Sequence, residues 1–193
     1  MSNSETYWDN RYINGNTGWD MKTVSPPLKS YVDQLKDKHS KILIPGAGNA
    51  YEAEYLYQKG FKNIYVADIA KTPLNNLKNR IPEFPKGQLL HIDFFNIEDT
   101  FDLIIEQTFF CALPPKLRPK YAKKMHQLLK PNAKIVGVLF DFPLTEDGPP
   151  FGGNIAEYKT NFTALFDLEI LEPCYNSYLK RQGNELFFKF NKI

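Results

Sequence analysis

The sequence is poor in the residues that define several specialised classes of protein. It has only two cysteines, Cys111 and Cys174, and three histidines among 193 residues. Two widely spaced cysteines make neither a disulfide framework nor a metal-ligand pattern, and the histidines are scattered, so we expect no metal site. The scarcity of cysteine excludes a disulfide-stapled miniprotein and favours a reducing compartment, the cytoplasm.

Long apolar runs and a strong net charge are also missing. The longest apolar run, residues 135–140, is much too short to cross a bilayer, and the N-terminus lacks the basic-then-apolar pattern of a signal peptide. Lys plus Arg number 24 and Asp plus Glu 22, a net charge of +2, whereas nucleic-acid binders usually carry a basic stripe. We therefore expect neither a membrane nor a nucleic-acid partner.

What the sequence does contain is an alternation of strand and helix patterns. Short apolar runs predict strands over 41–44, 63–67, 88–92, 101–105 and 134–140. Helical patterns predict helices over 26–37 and 49–59, from Thr72, between Leu117 and Leu129, and from Asn154. The tail predicts two strands, 168–174 and 185–191, joined as a hairpin. Such alternation predicts an α/β domain spanning 1–193, with a mostly parallel sheet covered by helices on both faces.

Glycines and acids follow the first strands of this predicted sheet. The first strand runs into Pro45-Gly46-Ala47-Gly48, the second ends at Asp68, and the third ends at Asp93-Phe94. Ligands of open α/β sheets bind beyond the carboxyl ends of the strands. A glycine turn followed by a carboxylate about twenty residues later is typical of sites that bind the hydroxyls of a ribose, so we predict a ligand that contains a nucleoside.

The details of the glycine turn indicate which nucleoside cofactor this is. A dinucleotide fingerprint requires a third glycine where this chain has Tyr51, and no Walker-type Gly-Lys-Ser/Thr follows. S-adenosyl-L-methionine (SAM) has a ribose but no phosphate, so it does not need the third glycine. Asp93 and Phe94 are placed to meet its adenine, by hydrogen bonding and by packing.

An aromatic-rich segment precedes the first predicted strand. Trp8 and Tyr12 are four residues apart, hence on one face of a short helix, and Trp19 follows. Aromatic faces attract cations such as a sulfonium, and a cover over the site excludes water. We predict that residues 1–24 form an aromatic arm over the cofactor. Two structural alternatives stay open: the aromatics only attach the arm to the core, and Asp68 only caps the next helix.

Five blocks of sequence, in order along the chain, match one known family. They are Trp8–Trp19, Ile44–Glu52, Asp93–Phe95, Glu106–Leu113 and Gly148–Phe151. In these blocks the chain resembles the thiopurine S-methyltransferase superfamily, and within it the halide/thiol methyltransferase branch and its bacterial relatives. The resemblance implies a three-layer, Rossmann-like class I SAM-dependent methyltransferase fold, with a seven-stranded, mostly parallel sheet and an antiparallel C-terminal strand.

The resemblance also implies a site and a reaction. By position, the cofactor contacts are Trp8, Tyr12, Trp19, Gly46, Asp68, Asp93, Phe94 and Gln107. The implied reaction moves a methyl group from SAM to a small soft nucleophile (a thiol, bisulfide, thiocyanate or halide), leaving S-adenosyl-L-homocysteine. It works by proximity and needs no catalytic residue. The mammalian thiopurine enzymes carry Arg where this chain has Gln107, which disfavours a thiopurine as the natural acceptor.

Other assignments remain open at this stage. Arg118 matches an arginine of similar proteins, and we expect it to contact the acceptor and to help ionise a thiol. Cys111 is interpreted as a buried apolar residue and not as a nucleophile, and the lysines of 116–134 as an exposed helix face. The alternatives are methylation of another small molecule or a metalloid, and a SAM-binding protein without activity. We expect a monomer or a weak oligomer.

Overall fold

The computed structural model of the protein describes residues 4–193, so the first three residues of the predicted arm lie outside the described residues. The helices are α1 (Glu5–Ile13), α2 (Pro26–Val32), α3 (Tyr51–Gln58), α4 (Lys71–Arg80), α5 (Arg118–Leu128) and α6 (Ile155–Phe162). The strands are β1 (Ile42–Pro45), β2 (Ile64–Asp68), β3 (Leu89–His91), β4 (Phe101–Gln107), β5 (Leu129–Phe140), β6 (Phe166–Pro173) and β7 (Glu185–Lys192).

All seven strands form one sheet, in the order β3-β2-β1-β4-β5-β7-β6. The pairs among β3, β2, β1, β4 and β5 are parallel, and β7 runs antiparallel to both β5 and β6. The predicted mostly parallel sheet with an antiparallel C-terminal strand is thus confirmed. The strand order reverses between β1 and β4, and open α/β sheets bind their ligands at such a switch point, beyond the carboxyl ends of the strands.

Helices cover both faces of the sheet and complete three layers. On one face, Leu28 of α2, Leu56 of α3 and Leu77 of α4 are buried in one apolar cluster. On the other, Tyr121 of α5 and Phe162 of α6 are buried in a second, aromatic-rich cluster. Both sides of the central strands are therefore covered, which is why β1 is buried at every position. Within residues 4–193, no helix is long and apolar enough to cross a membrane.

Two predicted boundaries are wrong for identifiable reasons. The helix expected over 26–37 ends at Val32, where the N–H groups of Gln34 and Leu35 turn to carbonyls three residues back and tighten the chain. The strand expected from residue 134 begins at Leu129. Leu129 pairs with Phe101 before an irregularity in register, and Asn132 takes a positive φ of 61° there.

Candidate functional site

The carboxyl ends of the parallel strands open into one cavity of about 700 Å³. The turn after β1, the end of β2, the segments after β3 and β4, the end of β5 and the N-terminal arm all contribute to its wall. The residues expected to contact a cofactor all lie in this wall: Trp8, Tyr12, Trp19, Gly46, Asp68, Asp93, Phe94 and Gln107. The structure therefore brings together residues that are spread over a hundred positions of sequence.

The glycine turn after β1 is shaped by close contacts. Gly46 and Gly48 have positive φ angles of 56° and 53°, a region that side chains rarely enter. A Cβ atom on Gly46 would lie 2.2 Å from Cδ2 of Phe109, and one on Gly48 would lie 2.6 Å from the hydroxyl of Tyr12. The two glycines thus let an aromatic ring from beyond β4 and one from the arm approach the backbone of the turn.

Asp68 is fixed at the end of β2 by two backbone donors. Its Oδ2 accepts from the N–H of Gly48 at 2.8 Å, and its Oδ1 accepts from the N–H of Ala70 at 2.8 Å. The helix-capping alternative is therefore partly right, since Ala70 leads into α4. Burial raises the pKa of Asp68 to about 6 against the effect of these donors. Each carboxylate oxygen can accept a second hydrogen bond, so the residue can also bind a ligand in the cavity.

The aromatic arm packs as a cluster at the cavity. Trp19 meets Trp8 and Tyr12 edge to face, with ring centroids 5.5 and 5.7 Å apart, and the guanidinium of Arg11 lies 4.8 Å from the centroid of Trp19. Asp20 accepts from the side-chain amide of Asn49 at 2.6 Å, which ties the arm to the glycine turn. The arm is thus attached to the core and also lines the cavity, so the two alternatives raised for it are compatible.

Asp93 and Phe94 have unequal exposure. Asp93 is exposed at the cavity, and its Oδ1 accepts from the N–H of Phe95 at 2.9 Å, capping a single turn. Phe94 is only 5% exposed and packs against Phe109 and Tyr121, with centroids 5.1 and 5.4 Å apart. Phe94 is therefore part of the core as well as of the cavity wall, and only a small part of its ring is open to a ligand.

Gln107 and its neighbour Glu106 occupy the end of β4. Within the described residues, Oε1 of Gln107 is buried and has no hydrogen-bond partner. Buried acceptors are nearly always satisfied, so this atom on the cavity wall marks a place where a ligand can donate. Glu106 is fully buried and accepts from the N–H groups of Phe109 and Phe110, at 2.7 and 3.1 Å, and from the hydroxyl of Tyr121.

The Glu106 network was not found from the sequence. It holds the turn in which Thr108 takes a positive φ of 57° and from which Phe109 reaches Gly46. Burial raises the pKa of Glu106 to about 7 although three donors favour its ionised form. A carboxylate directly before a Gln-Thr-Phe-Phe turn was visible in the sequence, but nothing there indicated that the backbone would fold back onto it.

The cavity wall also carries cations that the sequence interpretation missed. Lys120, Lys180 and Arg181 line it, and Nζ of Lys120 lies 4.3 Å from the centroid of Phe95. Lys120 is exposed, as expected for the lysines of 116–134, and it also lines the cavity, which the sequence did not indicate. Arg181 comes from the loop before β7, far from any motif that had been singled out.

Arg118 lies outside the cavity wall and is 1% exposed. Its guanidinium forms an ion pair with Glu157 at 2.5 Å and donates to the carbonyls of Phe151 and Gly152, at 3.3 and 2.8 Å. The expectation that Arg118 contacts the acceptor is not supported, because its charge and its donors are directed to the Gly148–Phe151 loop. That loop does reach the site, through Pro149 and Pro150.

Cys111 lines the cavity, but its environment keeps the thiol protonated. The residue is 7% exposed, and its Sγ donates to the carbonyl of Thr108 at 3.2 Å. Burial, and next the charge of Glu106, raise the pKa of the thiol far above its ordinary value. Cys111 is thus not poised as a nucleophile. Within residues 4–193, no group of three His, Cys, Asp or Glu side chains is arranged to hold a metal ion.

The fold is that of Rossmann-like methyltransferases. A 1,6-didemethyltoxoflavin-N1-methyltransferase of Burkholderia thailandensis superposes with a TM-score of 0.77 at 16% identity, covering 97% of this chain and 86% of that one. The magnesium protoporphyrin IX methyltransferase of Synechocystis PCC 6803 gives 0.73 at 12% identity, covering 98% and 97%. At these identities the likeness establishes the fold.

Sequence similarity establishes the family. The chain belongs to the thiopurine S-methyltransferase (TPMT) family, whose match extends over residues 3–187. It is 30% identical to a probable thiol methyltransferase 2 of Arabidopsis thaliana, over 81% of this chain and 71% of that protein. It is 26% identical to thiocyanate methyltransferase 1 of Brassica oleracea, over 96% and 84%. It is also 29% identical to a thiopurine S-methyltransferase of Vibrio cholerae, over 81% and 79%.

Proposed function

We propose that this protein is a SAM-dependent methyltransferase that transfers the methyl group to a small soft nucleophile. The observation that carries the proposal is the cavity itself. In a chain of this family, one cavity is lined by the acids and the aromatic arm of a SAM site and also by basic and aromatic residues from later in the chain. We assign the second set, Cys111, Phe140, Pro149, Pro150, Tyr178 and Arg181, to the acceptor and call it the acceptor end.

The residues at the other end fit SAM in size and chemistry. Asp68 would accept from the ribose hydroxyls, Asp93 and Phe94 would meet the adenine, and the unpartnered Oε1 of Gln107 would accept from the ammonium group. When bound, SAM supplies a methyl group on a sulfonium, which soft nucleophiles attack directly. The rings of Trp8 and Trp19 would lie close to a cation that aromatic faces stabilise.

The contribution of the protein is then to bind, orient and exclude water. A halide, bisulfide or thiocyanate is already an anion and needs no general base, so the chain has to hold it in line with the methyl group. The arm covers the site, and the acceptor end is lined by the aromatic and proline side chains of Phe140, Pro149 and Pro150. A poorly hydrated anion reacts faster, and the guanidinium of Arg181 offsets its charge there.

The names of the relatives support acceptors of this class. They are a probable thiol methyltransferase, thiocyanate methyltransferases and thiopurine S-methyltransferases. We place this chain with the small anions, because Gln107 carries no charge to meet a bulky anionic substrate and the cation of the acceptor end is Arg181 instead. The second candidate is a SAM-binding protein without turnover, favoured only by the fact that no side chain is required to react.

We further propose that residues 1–193 act as one domain with an arm over the cofactor, and as a monomer or a weak oligomer. The residues assigned to the cofactor and the acceptor line one cavity. The substrate is a small molecule and not a nucleic acid, since the cavity of about 700 Å³ suits a small ligand and the acids near the cofactor would repel phosphates. Both cysteines are free, which suits a reducing cytoplasm.

The test is conversion of SAM to S-adenosyl-L-homocysteine with iodide, bisulfide, thiocyanate, an aromatic thiol and a thiopurine as acceptors. We expect iodide, bisulfide and thiocyanate to give higher kcat/KM values than the thiopurine. Preference for the bulky thiols would move the protein toward the thiopurine enzymes. SAM binding without turnover of any acceptor would favour the non-catalytic candidate, and absence of SAM binding would refute both.

A further inference from the structure

Arg181 touches both the arm and the acceptor end of the cavity. It lies in a single helical turn, residues 179–181, that precedes β7. Its Nη2 donates to the backbone carbonyl of Trp19 at 2.6 Å, across 162 residues of sequence. Its Nη1 donates to Oε1 of Glu185 at 3.3 Å, and its guanidinium lies 5.5 Å from the centroid of Phe140. The side chain is only 11% exposed, and it lines the cavity.

The other attachments of the arm lie on the cofactor side. Asp9 accepts from the N–H of Thr72, at the start of α4, at 2.7 Å, and Asp20 accepts from Asn49 at 2.6 Å. Both partners belong to the β1–β2 half of the sheet. Within residues 4–193, the hydrogen bond from Arg181 is the one that ties the arm to the part of the chain that follows β3. The arm therefore spans the cavity, and Arg181 holds its far side.

Resting on the proposed function, we propose that Arg181 is a positioning residue that couples closure of the arm over the cofactor to binding of the acceptor. A guanidinium has five N–H donors, and within the described residues only two are used, one by Trp19 and one by Glu185. An anion at the acceptor end is attracted by the same cation that holds the arm. Binding of the anion fixes the guanidinium, and a fixed guanidinium keeps the arm closed.

Such coupling has a measurable and reciprocal consequence. If the acceptor anion favours the closed arm, it must tighten the binding of a ligand beneath the arm, and that ligand must strengthen anion binding by the same factor. Because the closed arm blocks the exit of the ligand, we expect the tighter binding to appear as slower release. S-adenosyl-L-homocysteine and thiocyanate form an unreactive pair for this purpose, because the first carries no methyl group to transfer. The arm also supplies its own signal, since the only tryptophans in the sequence are Trp8 and Trp19.

The experiment compares Arg181→Gln and Arg181→Lys with the matched control Lys180→Gln. Lys180 is the adjacent cation and lines the same cavity, but within residues 4–193 it has no hydrogen bond to the arm. Two properties are measured by tryptophan emission. The first is quenching by acrylamide in the ligand-free protein. The second is the rate of S-adenosyl-L-homocysteine release in stopped flow, with and without thiocyanate.

We expect Arg181→Gln to increase quenching and to accelerate release about tenfold, the effect of losing one charge-assisted hydrogen bond. Arg181→Lys keeps the charge but loses the planar fork, so an intermediate effect is expected, and Lys180→Gln should behave like the wild type in both measurements. Thiocyanate should slow release several-fold in the wild type and in Lys180→Gln, and have no effect on release in Arg181→Gln.

Three results would overturn the proposal. Equal quenching in Arg181→Gln and Lys180→Gln would show that Arg181 does not hold the arm. Release that thiocyanate leaves unchanged in the wild type would refute the coupling, as would thiocyanate slowing release equally in Arg181→Gln. Failure of the proposed function can be told apart from failure of this proposal. If the wild type binds no S-adenosyl-L-homocysteine, the proposed function fails, but acrylamide quenching of Arg181→Gln and Lys180→Gln still shows whether Arg181 holds the arm.

Discussion

Replacing Gly46 by alanine tests whether the turn after β1 shapes the cavity. The new Cβ would lie 2.2 Å from the ring of Phe109, whereas ordinary contacts begin at 3.4 Å. The ring must therefore move by about 1.2 Å, the difference between the two distances. Overpacking of this kind costs about 1–3 kcal/mol, and an alanine at positive φ costs about 1–2 kcal/mol more. We expect the free energy of unfolding to fall by about 2–5 kcal/mol.

Gly60→Ala separates the cost of overpacking against Phe109 from the cost of placing an alanine at positive φ. Gly60 also has a positive φ, 90°, but a Cβ atom there meets nothing within 4 Å, and the residue does not line the cavity. We expect this control to lose only the backbone contribution, about 1–2 kcal/mol, and to bind S-adenosyl-L-homocysteine like the wild type. Gly46→Ala should bind it at least tenfold more weakly, because Phe109 is displaced at the cavity wall.

The measurements are urea unfolding and calorimetric titration with S-adenosyl-L-homocysteine on both variants. Equal losses of stability would show that Phe109 can move at no cost and that only backbone strain matters. Wild-type affinity in a folded Gly46→Ala variant would refute the reasoning that places the ligand against this turn.

Three further predictions concern the acids and the arm. Asp68→Asn should weaken SAM binding at least tenfold at pH 7.5, as measured by calorimetry. In the wild type, the affinity for SAM should fall as the pH drops through about 6, where Asp68 takes up a proton. The same dependence of affinity on pH in Asp68→Asn would contradict this assignment. Trp19→Ala should raise the KM for SAM with little change in Tm, because its ring contacts Trp8, Tyr12 and Arg11, which are themselves residues of the arm; wild-type kinetics would make the arm purely structural. Burial raises the pKa of Glu106 from 4.5 to about 7, so between these pH values the folded protein holds a proton that the unfolded chain releases. The free energy of unfolding should therefore fall by roughly 3 kcal/mol as the pH rises from 4.5 to 7. Urea unfolding of Glu106→Gln should not show this fall, and the same dependence of stability on pH in the variant and the wild type would exclude Glu106 as its source.

The sheet and the cofactor end were predictable because their signals are local. Apolar runs that stop at Gly46, Asp68 or Asp93 mark both a strand and its end, and the carboxyl ends of parallel strands meet at one edge. The start of α6 was equally local: a helix was expected from Asn154, and the side chain of Asn154 accepts from the N–H of Glu157 at 3.0 Å as its N-cap. For these elements, neighbours in sequence determine most of the geometry.

The acceptor end was not predictable, because its geometry depends on residues far apart in the chain. Arg181 can bond to Trp19 because β7 pairs antiparallel with β5, and this pairing places the loop before β7 at the cavity. Arg118 looked available for a ligand, but its partners, Glu157 and the carbonyls of the Gly148–Phe151 region, lie more than thirty residues away. No periodicity in the sequence distinguishes Lys120, at the cavity mouth, from the lysines on the rest of α5.

The environment of Cys111 has a consequence for the lifetime of the protein. A thiolate on the wall of a cavity that holds an alkylating cofactor would itself be alkylated, and each such event would inactivate one molecule. Burial and the adjacent carboxylate of Glu106 keep the sulfur protonated, and the proton is directed to the carbonyl of Thr108. The fold thus protects the protein against modification by its own cofactor, and the same protonation slows the oxidation of this cysteine.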